Sequence, residues 1–263
     1  MNQKESSLTL KLFHPKGRLS PYVQGVWSAS VAQGEPNSIK RWLQADACSG
    51  ILFNFGGPIY LDNTQYSDNV ILLPISKQAI SITLPSGSQV AGVQFHPGVS
   101  FELFGKYYHA PVSLYDCPLQ SAIQLIANRL INIPSHQSRI VTLYKWLNNV
   151  INFSDVNSKA FLQSMSTIQN NPTLALLSND MPLSQCQLLR LFQKRMGMTI
   201  KEYQRVLRVK KTLNSLKMNP DIELVALALD KGFSDQSHMT RELKRIAKIT
   251  PWQYGKLIAG RQA

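Results

Sequence analysis

The residues best suited to chemistry are two arginines, Arg190 and Arg241, set fifty-one positions apart inside two copies of one pattern. An arginine fork donates parallel hydrogen bonds to a guanine edge or a phosphate, so such a pair suits recognition of a polyanion. The stretch 184–195, Ser-Gln-Cys-Gln-Leu-Leu-Arg-Leu-Phe-Gln-Lys-Arg, lies over 235–246, Asp-Gln-Ser-His-Met-Thr-Arg-Glu-Leu-Lys-Arg-Ile. Thr199 with Thr250, and Tyr203 with Tyr254, keep the same offset. Other reactive types are scattered. His96 and His109 have no His-x-His, His-Glu-x-x-His or paired-cysteine companion that would complete a metal set. No Gly-x-Ser-x-Gly elbow or P-loop is present. Cys48, Cys117 and Cys186 are odd in number and far apart, which excludes a dense disulfide framework and fits a reducing compartment. Cys48 and Cys117 read as small buried apolar residues.

Charge separates the chain into two halves. From Asn157 onward there are 17 Lys and Arg against 7 Asp and Glu, whereas residues 1–156 hold 11 against 8, within a total of +13. A basic half joined to a near-neutral one implies a polyanionic partner for the former. The opening MNQKESSLTL has no apolar core of a signal peptide, and no run approaches a membrane span, so a cytoplasmic protein is expected.

Each copy of the repeat must be positioned by a helix, a tight turn and a second helix. In the first copy Asn171-Pro172 starts a short helix bearing Leu174 and Leu177, Asn179 to Pro182 breaks it, and Ser184 caps the next, with Gln187 completing a capping box. In the second, Asp221 is expected to cap a helix with Leu224, Leu227 and Ala228. Gly232 supplies the turn, and Ser234 or Asp235 caps the second helix of that copy. Thr199 with Glu202, and Thr250 with Gln253, are two further capping boxes; a long helix from Ile200 to about Leu216 joins the copies. On the second helix of the first copy Leu188, Leu191 and Phe192 form an apolar stripe, opposite Cys186, Arg190, Gln193 and Lys194, with Leu189 at the edge. In the other copy Met239, Leu243 and Ile246 face inward, while Ser237, Arg241, Lys244 and Arg245 face out beside Gln236 and Thr240. Arginine, amide and small polar groups on a packed helix reach base edges while neighbouring cations meet phosphates.

The N-terminal half reads differently. Short apolar runs at 51–55, 70–73, 80–84 and 90–95 end at Gly, Pro or Ser clusters, the pattern of a β-barrel or β-sandwich. Ser20-Pro21 reads as the start of a short helix carrying Tyr22, Val26 and Trp27. Two helical periods come after these strands, Leu119 to Leu130 and Ile140 to Ile151, able either to cover a sheet face or to form a dimer contact. Residues 152–160 read as a linker. The resulting fold class is α+β: an N-terminal β-barrel or sandwich, cupin-like, over 1–151, then an all-α domain over 161–263.

The string Gly232-Phe233-Ser234-Asp235-Gln236-Ser237-His238-Met239-Thr240-Arg241-Glu242-Leu243-Lys244-Arg245, with Thr250-Pro251, resembles the signature of the AraC/XylS transcription regulators; Met239 and Leu243 replace two aromatic positions. The likeness spans about 159–259. It implies two helix-turn-helix units reading successive major grooves, with base-facing positions on Gln185, Cys186, Leu189, Arg190, Gln236, Ser237, Thr240 and Arg241. Phosphate contacts are expected from Lys194, His238, Lys244 and Arg245. Ser178 for the usual Ala, Ile200 for Pro and Lys248 for Gly are departures. Cys186 and Leu189 offer little hydrogen bonding, leaving more discrimination to the second unit. Pro21 to Trp27, Ile51 to Gly56 and Gly92 to Gly98 resemble the sensor-like domain of some members.

Partners expected on this reading are double-stranded promoter DNA, RNA polymerase, a small-molecule effector and a second copy of the chain, without a membrane or cofactor. Trp27, Trp42, Phe53, Phe55 and Phe95 are the candidate effector residues, set against the simpler reading of plain core. Two alternatives stand beside this one: a metal-dependent cupin-type enzyme fused to a DNA-binding module, and a repair protein that delivers an activated cysteine.

Overall fold

Strand β4 (Ser49–Asn54) is buried at every position, which a Ser-Gly-Ile-Leu-Phe-Asn run achieves only when both faces of its sheet are covered. The structure, a computed structural model, describes residues 8–114, 117–151, 156–170 and 183–262. Before β4 come β1 (Leu8–Phe13), β2 (Val23–Val31) and β3 (Ile39–Leu43). After it come β5 (Ile59–Leu61), β6 (Thr64–Tyr66), β7 (Val70–Leu73), β8 (Ile80–Leu84), β9 (Gln89–Phe95) and β10 (Val112–Ser113). They form two antiparallel sheets, ordered β1-β2-β9-β4-β7-β10 and β3-β8-β5-β6. Each sheet keeps two edges among the described residues, so the architecture is an open sandwich and not a closed barrel.

The pleat sends Leu52 into the space between the sheets with Ile59, Ile71, Ile82 and Val90, and turns Ile51 and Phe53 to the opposite face. That face is covered by α1 (Val99–Phe104), α2 (Gln120–Ile131) and α3 (His136–Val150), through Val99, Ile123, Leu130, Leu143 and Leu147. The two C-terminal helices of this half thus roof the larger sheet; their apolar stripes are spent there. The short helix expected after Ser20-Pro21 is absent: a 3-10 turn spans Gly17–Leu19, and Val23 to Val31 is strand. Tyr22 and Val26 happen to fall four apart, but cross-strand pairing with Phe13 and Val93 decides the conformation of Val26.

Helix α4 (Val156–Asn170) begins inside the stretch expected to be a linker. Then come α5 (Gln185–Met196), α6 (Ile200–Met218), α7 (Leu224–Asp230), α8 (Gln236–Ala247) and α9 (Pro251–Gln262). The helix expected over Asn171 to Asp180 lies outside the described residues, as does Ser178. Asp221 is not the cap of α7; Glu223 holds that position without a side-chain hydrogen bond. One core joins this half, from Phe161 through Phe192, Tyr203 and Val206 to Met239 and Leu243, and it draws in Ala45, Ala47 and Ile75 of the sandwich. No described helix is long and apolar enough to cross a membrane.

Helices α5 and α8 both end in a left-handed residue, Gly197 at φ 58° and Lys248 at φ 57°. These are one position of the repeat, filled once by the residue that adopts this backbone freely and once by lysine. Lys248→Gly is expected to raise stability by about 0.5–1 kcal/mol, read as a higher urea midpoint at unchanged slope. A fall in midpoint would show that the lysine side chain contributes more than its backbone costs.

Candidate nucleic-acid interface

Ser184 starts α5 through a complete capping box. Its hydroxyl accepts the Gln187 N–H at 3.4 Å, and its own N–H donates to Gln187 Oε1 at 3.1 Å. This phase turns Leu188 and Phe192 inward and leaves Gln185, Cys186, Leu189, Arg190 and Lys194 exposed. Phe192 is fully buried, its ring centroid 5.9 Å from Phe161 and 5.5 Å from Tyr203. Asp235 plays the matching part for α8, its Oδ1 accepting the His238 N–H at 2.7 Å; that bond is the main cause holding the Asp235 carboxyl below its ordinary range. Met239, Leu243 and Ile246 are buried, Gln236, Ser237, Arg241, Lys244 and Arg245 are exposed, and Thr240 is half-buried.

Two of the expected phosphate contacts are already engaged. The His238 ring is half-buried, with Nδ1 3.1 Å from the Ser234 hydroxyl and its edge against Phe233 at 5.5 Å. Arg245, 48% exposed at the side chain, lies 3.2 Å from Glu242. Glu242 itself takes a two-pronged contact from Arg205 of α6, at 2.7 and 2.9 Å. These bonds from Arg205, outweighing burial, hold the Glu242 carboxyl below its usual value. Lys194 and Lys244 lie on the exposed side of their helices and make no ion pair among the described residues; Lys194 approaches the Phe101 ring at 5.8 Å.

Sequence reasoning missed the charges that the fold buries. Arg195 pairs with Glu102 of α1 and stacks over Phe161 at 4.9 Å, fastening α5 to the sandwich. Lys210 of α6 reaches Asp46 at 3.4 Å, and Asp46 also accepts from Cys48 N–H and Gln94. The repeat held a signal for two of these: Arg195 and Glu242 fall where the other copy has Ile246 and Leu191.

The five candidate effector aromatics do not gather. Phe53 and Phe95 are fully buried under the helices, Phe55 lies beneath the Arg139 guanidinium at 4.5 Å, and Trp42 is 46% exposed. Trp27 covers Gly92, where an added Cβ would stand 2.5 Å from its ring. None of them lines the cavity of about 470 Å³ between the sandwich and α4, whose walls include Tyr22, His96, Pro97, Lys159, Leu162 and Met165. Burial, and then the charge of Lys210, push the His96 imidazole below its ordinary pKa, so it faces this space uncharged at neutral pH. Among the described residues no three His, Cys, Asp or Glu side chains gather as a metal site. Cys48 is buried, which together with Asp46 raises its thiol pKa well above the usual value; a reactive thiolate would need the opposite surroundings.

Comparison with known proteins assigns residues 177–256 to a helix-turn-helix domain family, and residues 11–110 to a domain of unknown function (DUF6597). No curated protein matches the chain. Among solved structures, ToxT from Vibrio cholerae is 15% identical, covering 96% of this chain and 99% of its own, at a TM-score of 0.47. ToxT of strain SCE256 bound to an unsaturated fatty acid is 14% identical over 99% of both chains, at 0.44. The plu4264 protein of Photorhabdus luminescens is 11% identical over 37% of this chain and 82% of its own, at 0.27. The duplicated capped helices, their exposed arginines and the family assignment agree: residues 177–256 are a helix-turn-helix domain.

Proposed function

We propose that this chain reads promoter DNA with α5 and α8 and that its N-terminal half, residues 1–151, conditions that reading in response to a small molecule or a protein partner. The observation that carries the DNA part is the pair of helices in register, each exposing an arginine at the same position of the repeat beside an exposed lysine, Lys194 and Lys244. Arg190 and Arg241 are the base readers of this scheme, with Gln185, Gln236, Ser237 and Thr240 beside them. Cys186 and Leu189 present only soft or apolar surface, suited to thymine methyls. Support for conditioning comes from the shared core and the ion pairs Arg195–Glu102 and Lys210–Asp46, which tie the two halves. The cavity beside α4 is the natural place for an effector, because its walls belong to both halves. RNA polymerase and a second copy of the chain are the further partners of this reading, in the cytoplasm.

The test begins with duplexes selected by the purified full-length chain from a random library. Arg241→Ala is expected to weaken the selected duplex by about 1–3 kcal/mol and to relax preference at one base pair. Lys244→Ala should weaken all duplexes more evenly and lower the salt dependence. An equal loss on every sequence from Arg241→Ala would remove its role as a reader.

A further inference from the structure

One loop of the sandwich touches both copies of the repeat at matching places. Residues 74–79 join β7 to β8. The Lys77 ammonium donates to the carbonyl of Gly197, the residue that closes α5. Two positions later the Ala79 N–H donates to the carbonyl of Ile246 in the last turn of α8, at 2.7 Å. Between sheet and helices, Ile75 is buried in the core of the helical half. Because Gly197 and Lys248 are the same repeat position, the loop grips each unit within two residues of its helix-ending turn. The chemistry is alike at both ends. The last carbonyls of a helix have no partner within it and carry the negative end of its dipole, so an N–H and an ammonium both satisfy them.

The first unit is held further at this corner. The Tyr107 ring lies against Gly197, where any Cβ would collide with it, and Arg195 pairs with Glu102. The second unit is held there by the Ala79 bond. The loop is therefore a brace across two units that are also joined by α6, a helix of 19 residues, and by one apolar core.

We propose that the 74–79 loop is a spacing gauge: it fixes the offset between α5 and α8, and so determines which separation of two half-sites in DNA the protein accepts. The inference rests on the DNA-reading function proposed above. Two linked contacts reinforce each other only when both can be made at once. One added base pair turns the second half-site by roughly 35° and moves it about 3.4 Å, so a rigid brace discriminates spacing sharply. A loosened brace lets either helix follow its groove and accepts several spacings.

The duplex best bound by the full-length wild type is rebuilt with one base pair removed and with one, two and five added between its half-sites. Wild type is expected to lose tenfold or more at a one-pair change. In Lys77→Ala and in Ala79→Pro, which lacks the N–H, the ratio between selected and shifted duplexes should fall to about threefold or less. Binding to a duplex with one half-site should stay within twofold of wild type. Thermal melts establish that each variant is folded; if Ala79→Pro is not, Lys77→Ala, an exposed side chain, decides alone. Unchanged spacing ratios in folded Lys77→Ala overturn the gauge. Failure of the wild type to select any duplex instead overturns the DNA reading, and the gauge with it.

Discussion

Phe192→Ala is expected to destabilise the protein by about 3–5 kcal/mol and to abolish reading by the first unit. The ring is fully buried and meets Phe161 of α4 and Tyr203 of α6, so it is the point where three helices share one contact. Its removal leaves a hole that α5 cannot collapse into, because that helix is pinned by the Ser184 capping box at one end and by the Gly197 turn at the other. Tyr203 also depends on this packing to hold its hydroxyl against Gln169 at 2.8 Å. Since typical domains are stable by only 5–15 kcal/mol, such a loss is a large share of the whole. Urea melts at matched slope measure it, and Phe192→Leu, which keeps most of the volume, should cost less than half as much. A Phe192→Ala loss under about 1 kcal/mol would mean that the shared contact does not hold the unit together.

Much of this arrangement was legible because local rules and global packing agree. The three capping boxes at Ser184, Thr199 and Thr250 form as their residue types demand, starting α5, α6 and α9, and the first of them sets the phase that turns Arg190 outward. Asp235 does the same work for α8 with its carboxylate. The strands were legible wherever a short apolar run met a Pro or Gly stop, as at Val70–Leu73 and Ile80–Leu84.

Where the reading failed, a nonlocal partner overrode local spacing. Val26 belongs to a strand because Phe13 and Val93 pair with it, and neither lies within reach of a local window. Nothing in the order of strands reveals that the sheets remain open, since closure depends on which edges meet. The scattered aromatics were a poor guide to a cavity. A β-strand alternates, and Phe53 and Phe95 take the face that α2 and α3 cover. The walls of the cavity beside α4 come from segments such as Tyr22, His96 and Leu162, brought together only by the docking of two halves. Buried charge was the hardest to foresee. A lone Glu242 in a basic helix reads as an exposed residue until Arg205, thirty-seven positions earlier, is placed beside it.

That carboxylate carries the second large effect. Glu242→Ala is expected to cost about 1–2 kcal/mol, because it removes the carboxylate that Arg205 and Arg245 share and leaves two like charges facing each other, with solvent at both guanidinium groups screening part of the loss. Glu242→Gln keeps the volume and removes the charge, so it isolates the electrostatic share. The pH dependence has a definite sign. Hydrogen bonds from Arg205, the leading cause, depress the carboxyl pKa in the folded state. The unfolded chain therefore takes up the proton first, and the stabilisation is complete above the unfolded value of about 4.3. It fades as pH falls from there through the lower folded value. Urea midpoints for wild type and Glu242→Gln should thus differ most at pH 6–7 and converge toward pH 3, with wild type losing more on acidification. Parallel curves across that range would mean that Glu242 contributes through shape alone. Because Arg205 sits on α6 and Arg245 on α8, the same variant should also loosen α8 against the connecting helix, and its specific DNA affinity should fall further than that of Lys244→Ala.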